Sequence, residues 1–448
     1  MSNGFRKILD KFDDAEIVSF CWKGLSKIDG ALIGCSDLDL FVDFKKIDLA
    51  KEILNDHNWF CLKPAVSYEF IEHYFFWDGH KFLHLHIYWK LRTGLSSVKN
   101  SIISFDFDYN TMVFRDCMGI RVPDTPLCKA LNMTRKDLKK KNLFSKYLFG
   151  KTPKYKKEDH FLKDFFPHWD DAIPTMVNVY DISTYWILNL VKNYMRRLLA
   201  KALRRKRSLP SGTIVSFIGT DGSGKSTLSK SVLNRFDKIL TVKHLSFGLP
   251  KFSLLTSPIY LIRSSLMYSR SLLKGFFRSP AGQSVASHKK EGVAETSFIF
   301  AVYFVALAIE RYAVMSKAQR FADLSFLVLL DRCPSMSPFS FDCPKIHTRS
   351  SQTLVFFLMQ LERRLYRSMT KPNLVLKLEV NLETALQRNS SRSKIGKETD
   401  NEIIERLELF KKFVPAVDTV EVLNANIPFD EVLDIATNKI IERLARCK

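Results

Sequence analysis

Hydrophobic residues in the second half of the chain come in two kinds of run. Short apolar blocks occur at Thr213–Ile218, Thr241–Phe247, Phe326–Leu330, Leu374–Val380 and Thr419–Leu423. Between them lie longer stretches with helical spacing: Lys225–Phe236, Ser253–Phe276, Ser297–Phe321, Ser351–Met369, Asn401–Phe413 and Phe429–Ala445. Continuous apolar blocks alternating with helices predict an α/β architecture, a doubly wound parallel sheet with helices on both faces. Ligands of such sheets gather at the carboxyl ends of the strands. The first half reads as a smaller α+β segment, with period-two alternation at Asp37–Leu40 and Phe82–Trp89.

The most hydrophobic stretch, Ser297–Ile309, stops at Glu310 and Arg311. It falls short of the roughly 20 apolar residues a bilayer requires, so it reads as a buried core helix. The clearest seam is Val191–Pro210, where Lys192, Arg196, Arg197, Lys201 and Arg204–Arg207 occur without an acid and Ser208–Gly212 follows. Charge followed by Ser, Pro and Gly is a linker signature. The same stretch suits a basic helix with Leu198, Leu199 and Leu203 on one side. A second basic region spans Arg135–Lys157, interrupted by the single acid Asp137, and precedes an aromatic helical stretch at Phe161–Leu190. These seams divide the chain into an α+β domain (1–120), a basic helical connector (121–211) and the doubly wound domain (212–448).

Composition narrows the partners. Lys and Arg outnumber Asp and Glu by 69 to 47, a net charge of +22. That balance favours nucleotides and small phosphorylated substrates, and the basic tracts also suit nucleic acid or an anionic membrane surface. The 8 cysteines include no CxxC pair, which fits reduced thiols and a cytoplasmic location. The charged N-terminus lacks the apolar core of a secretory leader. A homodimer is compatible with all of this.

The candidate chemistry begins at Gly219-Thr-Asp221-Gly222-Ser223-Gly224-Lys225-Ser226-Thr227, which fits G-x-x-x-x-G-K-[ST] directly after an apolar strand and before a helix. Glycines let backbone N–H groups turn inward around phosphates, and the helix N-terminus adds a favourable dipole. In that pattern Lys225 reaches the β- and γ-phosphates of ATP and Ser226 ligates Mg2+. The strand Leu327–Leu330 ends in Asp331-Arg332, and an acid there holds the magnesium shell or the acceptor.

With these motifs in place, residues 213–446 resemble the thymidylate kinase group of nucleoside monophosphate kinases. The loop around Asp221 resembles that group's D-G-x-G-K-S/T, and Asp331-Arg332 its DR motif. Glu310-Arg311 sits where its helical acid–arginine pair would be. Pro372–Val380 with Leu382–Arg388, and then Val422–Val432, resemble its later strands and helices. The resemblance implies ATP-dependent phosphoryl transfer, with Arg388 and Arg392 on a lid over the transferring group and Asp221 orienting the acceptor end. Two features depart from the group: Cys333 follows the DR pair, and an inserted stretch, Pro250–Gly292, occupies the region of the nucleobase pocket. The acceptor is therefore open between a nucleoside monophosphate and a phosphorylated sugar precursor. A nucleic-acid-binding or regulatory ATP-binding protein is the rival reading.

In the first half, Asp37 and Asp39 alternate with Leu38 and Leu40, so a strand places both carboxylates on one face. Paired acids of this kind hold magnesium around a triphosphate. With Gly24 ahead of them, residues 20–43 resemble the DNA polymerase beta-like nucleotidyltransferase superfamily, in the short form fused to thymidylate kinase-like domains. The superfamily's third acid is missing. The candidate strand Phe82–Trp89 carries His84 and His86 on that face, and Asp78 lies in the preceding turn. The face reads either as a catalytic site or as a scaffold that presents substrate, and its histidines either as ordinary polar residues on a half-exposed strand or as metal ligands.

Overall fold

The computed structural model describes residues 3–23, 28–93, 99, 101–104, 114–117, 119–123, 178–181, 186–202, 206–220, 222–248, 256–259, 261, 296–337, 342–348, 353–390, 400–413, 415, 417 and 419–446. The chain divides into two compact units. Unit 1 comprises Met1–Pro210, Ile239–Thr241 and Ile441–Lys448, and unit 2 comprises Ser211–Lys238 and Val242–Ile440.

Unit 1 is built on a five-stranded mixed sheet. Its strands are β1 (Ser19–Cys21), β2 (Leu38–Val42), β3 (Phe60–Cys61), β4 (Ile71–Trp77) and β5 (Phe82–Tyr88), in the order β1-β2-β5-β4-β3. Only β2 and β5 run parallel, with Asp39 opposite His86; His73 on β4 faces the same His86 across the antiparallel pair. Leu38, Leu40, Val42, Leu83, Leu85 and Ile87 form the core face. The helix Asn3–Asp14 packs Phe5, Ile8, Leu9 and Phe12 onto it, a stripe at i, i+3, i+4 and i+7, and the helix Ile47–Asp56 adds Ala50 and Leu54. Each buried side chain of this size stabilises the fold by about 1.5–3 kcal/mol. The opposite face carries Asp39, His84, His86, Tyr88, His73 and Phe75 by the two-residue period of the strands.

Shorter strands β6 (Leu91–Thr93), β7 (Ser101–Ser104) and β10 (Asn178–Asp181) make a small sheet, and β8 (Phe114–Cys117) pairs with β9 (Ile120–Pro123). The basic seam forms a helix, Trp186–Ala202. Its apolar stripe is not sheltered: Val191, Tyr194, Met195, Leu198 and Leu199 are all exposed. Leu203, the Arg135–Lys157 tract and most of Phe161–Leu190 fall outside the described residues.

Unit 2 has five parallel strands, β11 (Thr213–Gly219), β12 (Val242–Leu245), β13 (Leu327–Leu330), β14 (Leu374–Glu379) and β15 (Val420–Asn424), ordered β12-β13-β11-β14-β15. Burial on both faces explains the near-continuous apolar character of β11, β13 and β14, whereas the edge strands β12 and β15 are partly exposed and carry Lys243, His244 and Glu421. β11 is central, so the loop after it opens at the middle of the carboxyl edge, as the doubly wound reading requires. The helices Lys225–Phe236, Phe298–Asp323, Thr353–Ser368, Asp400–Lys412 and Phe429–Ala445 follow the expected stretches to within a few residues. The helix expected over Ser253–Phe276 lies largely outside the described residues.

The helix Phe298–Asp323 is long and apolar enough by composition to cross a membrane. Here it packs Ala308, Met315, Ala318 and Ala322 against Ile214, Val328 and Leu330 of the sheet, as a core helix does.

Candidate active sites

The loop after β11 has the shape a phosphate requires. A Cβ on Gly219 would collide with the Ser223 hydroxyl and lie 3.1 Å from the Leu378 carbonyl oxygen, so only glycine lets the strand end there. Gly222 and Gly224 have φ of 92° and 88°, in the left-handed region that glycine adopts without strain. These turns deliver the chain into the helix Lys225–Phe236, whose N-cap, Gly224, makes no side-chain capping bond. The first helical N–H groups therefore remain available to an anion.

Lys225 Nζ donates to the Thr220 carbonyl at 2.7 Å, which folds the ammonium back over the loop. The Thr220 and Ser223 hydroxyls are buried with no hydrogen-bond partner among the described residues. Buried orphan hydroxyls are costly, and a phosphate oxygen would satisfy them. Ser226 and Thr227 are exposed at the start of the helix. Asp221 lies outside the described residues.

A cleft of about 340 Å3 adjoins the loop, lined by Ser223, Gly224, Thr227, Arg388, Ile427 and Phe429 among others. Arg388 is thus brought beside the P-loop, on the helix Leu382–Ser390, and its Nη2 donates to the Ala425 carbonyl at 2.9 Å. Arg392 is outside the described residues.

Asp331 directly follows β13, the neighbour of the P-loop strand. Its carboxylate already has work: Phe247 N–H donates to Oδ1 at 2.7 Å and the Ser246 hydroxyl to Oδ2 at 2.8 Å. These bonds pin the turn after β12. A carboxylate can accept about four hydrogen bonds, so lone pairs remain for the water shell of a cation. Arg332 turns toward Asp342, with Nη1 3.5 Å from Oδ2. Gly219, Arg332, Cys333 and Asp342 line one small hollow at the sheet edge.

Arg311 is buried behind this hollow, with Nη2 2.6 Å from Asp342 Oδ1 and Nη1 2.5 Å from the Tyr366 hydroxyl. Burial disfavours its charge, but Tyr366 and Asp342 outweigh burial and raise its pKa. Asp342 and Tyr366 were not among the residues expected at the site. Neither has a local motif, and only the fold brings them to Arg311.

In unit 1 the two acids do share a site. His86 Nδ1 lies 2.9 Å from Asp39 Oδ1 and 3.0 Å from Asp37 Oδ2. Lys23 Nζ, however, sits 2.8 Å from the same Asp39 oxygen and also donates to the Tyr88 hydroxyl at 2.7 Å. Burial raises the Asp39 pKa, yet the His86 hydrogen bond and Lys23 more than offset it and hold the carboxyl at about 2. Asp78 caps its own turn by accepting from His80 and Lys81 N–H. Gly24 is outside the described residues.

A magnesium pair does not fit this set. Hard cations take oxygen ligands, and here one of two carboxylates bears an ammonium while an imidazole occupies the place of a third acid. Lys23, His73 and Arg207 were not expected at this face. Arg207 stacks its guanidinium 4.9 Å from the Phe75 ring.

No protein-family model matches the chain, and no curated protein matches it in sequence. Among solved structures, a deoxyadenosine kinase from M. mycoides with bound dATP aligns with 51% of this chain and 98% of that chain, at 13% identity and a TM-score of 0.30. At that level the likeness carries no weight for either fold or chemistry. The α/β description rests on the strand order, and the phosphate site on its own geometry.

Proposed function

We propose that unit 2 is an ATP-dependent kinase that transfers the γ-phosphoryl group to a small acceptor, a nucleoside monophosphate or a phosphorylated sugar precursor. The observation that carries this reading is the loop Gly219–Lys225. It has two left-handed glycines, an uncapped helix N-terminus and two buried hydroxyls without partners among the described residues. Together these make a cradle for a polyphosphate.

In this reading the loop amides and Lys225 hold the β- and γ-phosphates and spread the charge that develops during in-line transfer. Ser226 and Asp331 are the residues that would hold magnesium, which supplies further charge neutralisation on the phosphate oxygens. Arg388 borders the cleft and, with Arg392, would close on the transferring group after leaving the Ala425 carbonyl. Arg332 lines the edge hollow where an anionic acceptor would sit, and Arg311 shares its partner Asp342.

The test is ADP release from ATP across nucleoside monophosphates and sugar phosphates, with Lys225→Ala as control. Acceptor-dependent turnover that disappears in the variant supports the kinase. ATP binding without acceptor-dependent turnover sinks it and moves the weight to the regulatory or nucleic-acid reading, which the exposed basic helix Trp186–Ala202 favours. For unit 1 we infer a nucleotidyltransferase-like arrangement whose aspartates serve an ion-pair network, because Lys23 occupies the carboxylate that a metal would use.

A further inference from the structure

The same sheet face holds a second cluster that the paired acids do not explain. His73 on β4 and His84 and His86 on β5 each present a ring nitrogen within 4.8 Å of the others. His73 Nδ1 and His84 Nε2 are 3.2 Å apart. Two imidazole ligands of a tetrahedral ion with metal–nitrogen bonds of roughly 2.0–2.1 Å have nitrogens about 3.4 Å apart, so this spacing is already near that of a ligand pair.

His86 supplies the stronger argument. Its Nδ1 is engaged by Asp39 and Asp37, which fixes the proton on that side of the ring. Nε2 is left as the lone-pair nitrogen, and it is buried with no hydrogen-bond partner among the described residues. Carboxylate, histidine and open ring nitrogen in series are the arrangement by which proteins orient a metal-binding imidazole.

The protonation states agree. Burial, with the charges of Arg207 and Lys99, depresses His73 to about 2. Burial, with the Arg207 charge, depresses His84 as well. Both rings are therefore neutral at physiological pH, which is the ligating form. Arg207 and Lys99 also oppose a cation, while Asp37 and Asp39 behind His86 favour one.

We propose that His73, His84 and His86 form a binding site for one divalent transition-metal ion of the zinc class, which three neutral imidazoles prefer over magnesium or calcium. On binding, the proton shared between His73 and His84 moves to the far nitrogen of its own ring, so no net proton is released. The site stands independently of the kinase assignment, since all its residues belong to unit 1.

The test is titration of the full chain, stripped with a chelator, with Co2+ alone and then competition by Zn2+. The expected result is one equivalent bound, with the visible absorption of a low-coordinate cobalt site. His73→Ala and His84→Ala should each weaken uptake by at least tenfold, while Asp37→Asn, at a half-exposed carboxylate, should keep it within about tenfold. X-ray absorption of the zinc-loaded wild type supplies a readout that does not depend on how the variants fold, and three imidazole nitrogens are expected. Absence of saturable uptake would overturn the proposal. So would an oxygen-dominated ligand shell, or uptake lost in Asp37→Asn and kept in the histidine variants.

Discussion

The two units place acidic and basic chemistry on their sheets in opposite ways. In unit 2 two P-loop hydroxyls are left unsatisfied: those of Thr220 and Ser223 have no partners among the described residues, and the helix N-terminus has no side-chain cap. In unit 1 the carboxylate at the corresponding centre of interest, Asp39, is already held by Lys23 and His86. Unmet hydrogen-bonding capacity at a pre-shaped loop marks a site that awaits a ligand. A charge with its partners in place marks a carboxylate that awaits no ligand of its own, and the open position in unit 1 is instead the His86 ring nitrogen. The same residue type, a strand-associated aspartate, therefore carries different functional weight in the two units.

The largest expected effect tests the unsatisfied side of this contrast. Removing the Lys225 ammonium with Lys225→Ala should lower phosphoryl transfer by about 10²–10³-fold, the magnitude typical of losing one preorganised charge-stabilising donor. Stability should change little, because the Lys225 ammonium is only partly buried and donates to a loop carbonyl. Initial rates of ADP formation, alongside a thermal melt, separate the two. A variant with unchanged turnover would mean that the loop does not bind the reacting phosphates.

Next in size is a test of the satisfied side. Asp39→Asn leaves the Lys23 ammonium without its anion in a mostly buried position, which should destabilise unit 1 by about 3 kcal/mol. If Asp37 and Asp39 were instead a repelling pair held for metal ions, removing one charge would stabilise the metal-free chain. Chemical denaturation in the presence of a chelator gives the sign. A gain in stability would erase the distinction between the two units.

The contrast also accounts for what could be read in advance. The P-loop is contiguous, and its strand–loop–helix setting is a local pattern, so Gly219–Thr227 and the helix Lys225–Phe236 were legible from residue order alone. The parallel sheet followed from apolar blocks buried on both faces. The acid–histidine face was half legible: alternation put Asp37 and Asp39 on one side, and His84 and His86 on another strand. It could not show that β2 and β5 run parallel with Asp39 opposite His86, nor that Lys23 reaches over from the segment following β1. Asp342, Arg311 and Tyr366 meet only because a long helix, a loop and a second helix pack together. Such pairings have no period and no spacing. The exposed stripe of the helix Trp186–Ala202 shows the converse limit, since helical spacing predicts a common side for Leu198 and Leu199 but not what, if anything, covers it.

Smaller effects sharpen the P-loop side. Gly224→Ala adds a methyl group that meets nothing within 4 Å, so its cost comes only from the backbone at φ of 88°. That cost is about 1 kcal/mol. Gly219→Ala meets the Leu378 carbonyl oxygen and the Ser223 side chain, so it should both destabilise unit 2 more and abolish nucleotide binding. Nucleotide affinity and melting temperature, measured on both variants, rank them. Equal effects would mean that the close approach of β11 to the loop is not what shapes the cradle.

The smallest expected change compares two cysteines, Cys35 in unit 1 and Cys333 in unit 2. Cys35 is exposed, and Cys333 is buried behind the P-loop strand. Burial, reinforced by the nearby Asp342 charge, pushes the Cys333 thiol up to about 12. Because the thiolate is the nucleophile, Cys333 stays unreactive at pH values well below that. Iodoacetamide at pH 8 should therefore label Cys35 and spare Cys333, as read by peptide mass spectrometry. Labelling of Cys333 at the rate of Cys35 would show that the hollow shared by Gly219, Arg332 and Asp342 opens readily in solution. The Arg332–Asp342–Arg311 chain would then be a transient contact, and unit 2 would lose the internally paired region against which its unsatisfied loop stands out.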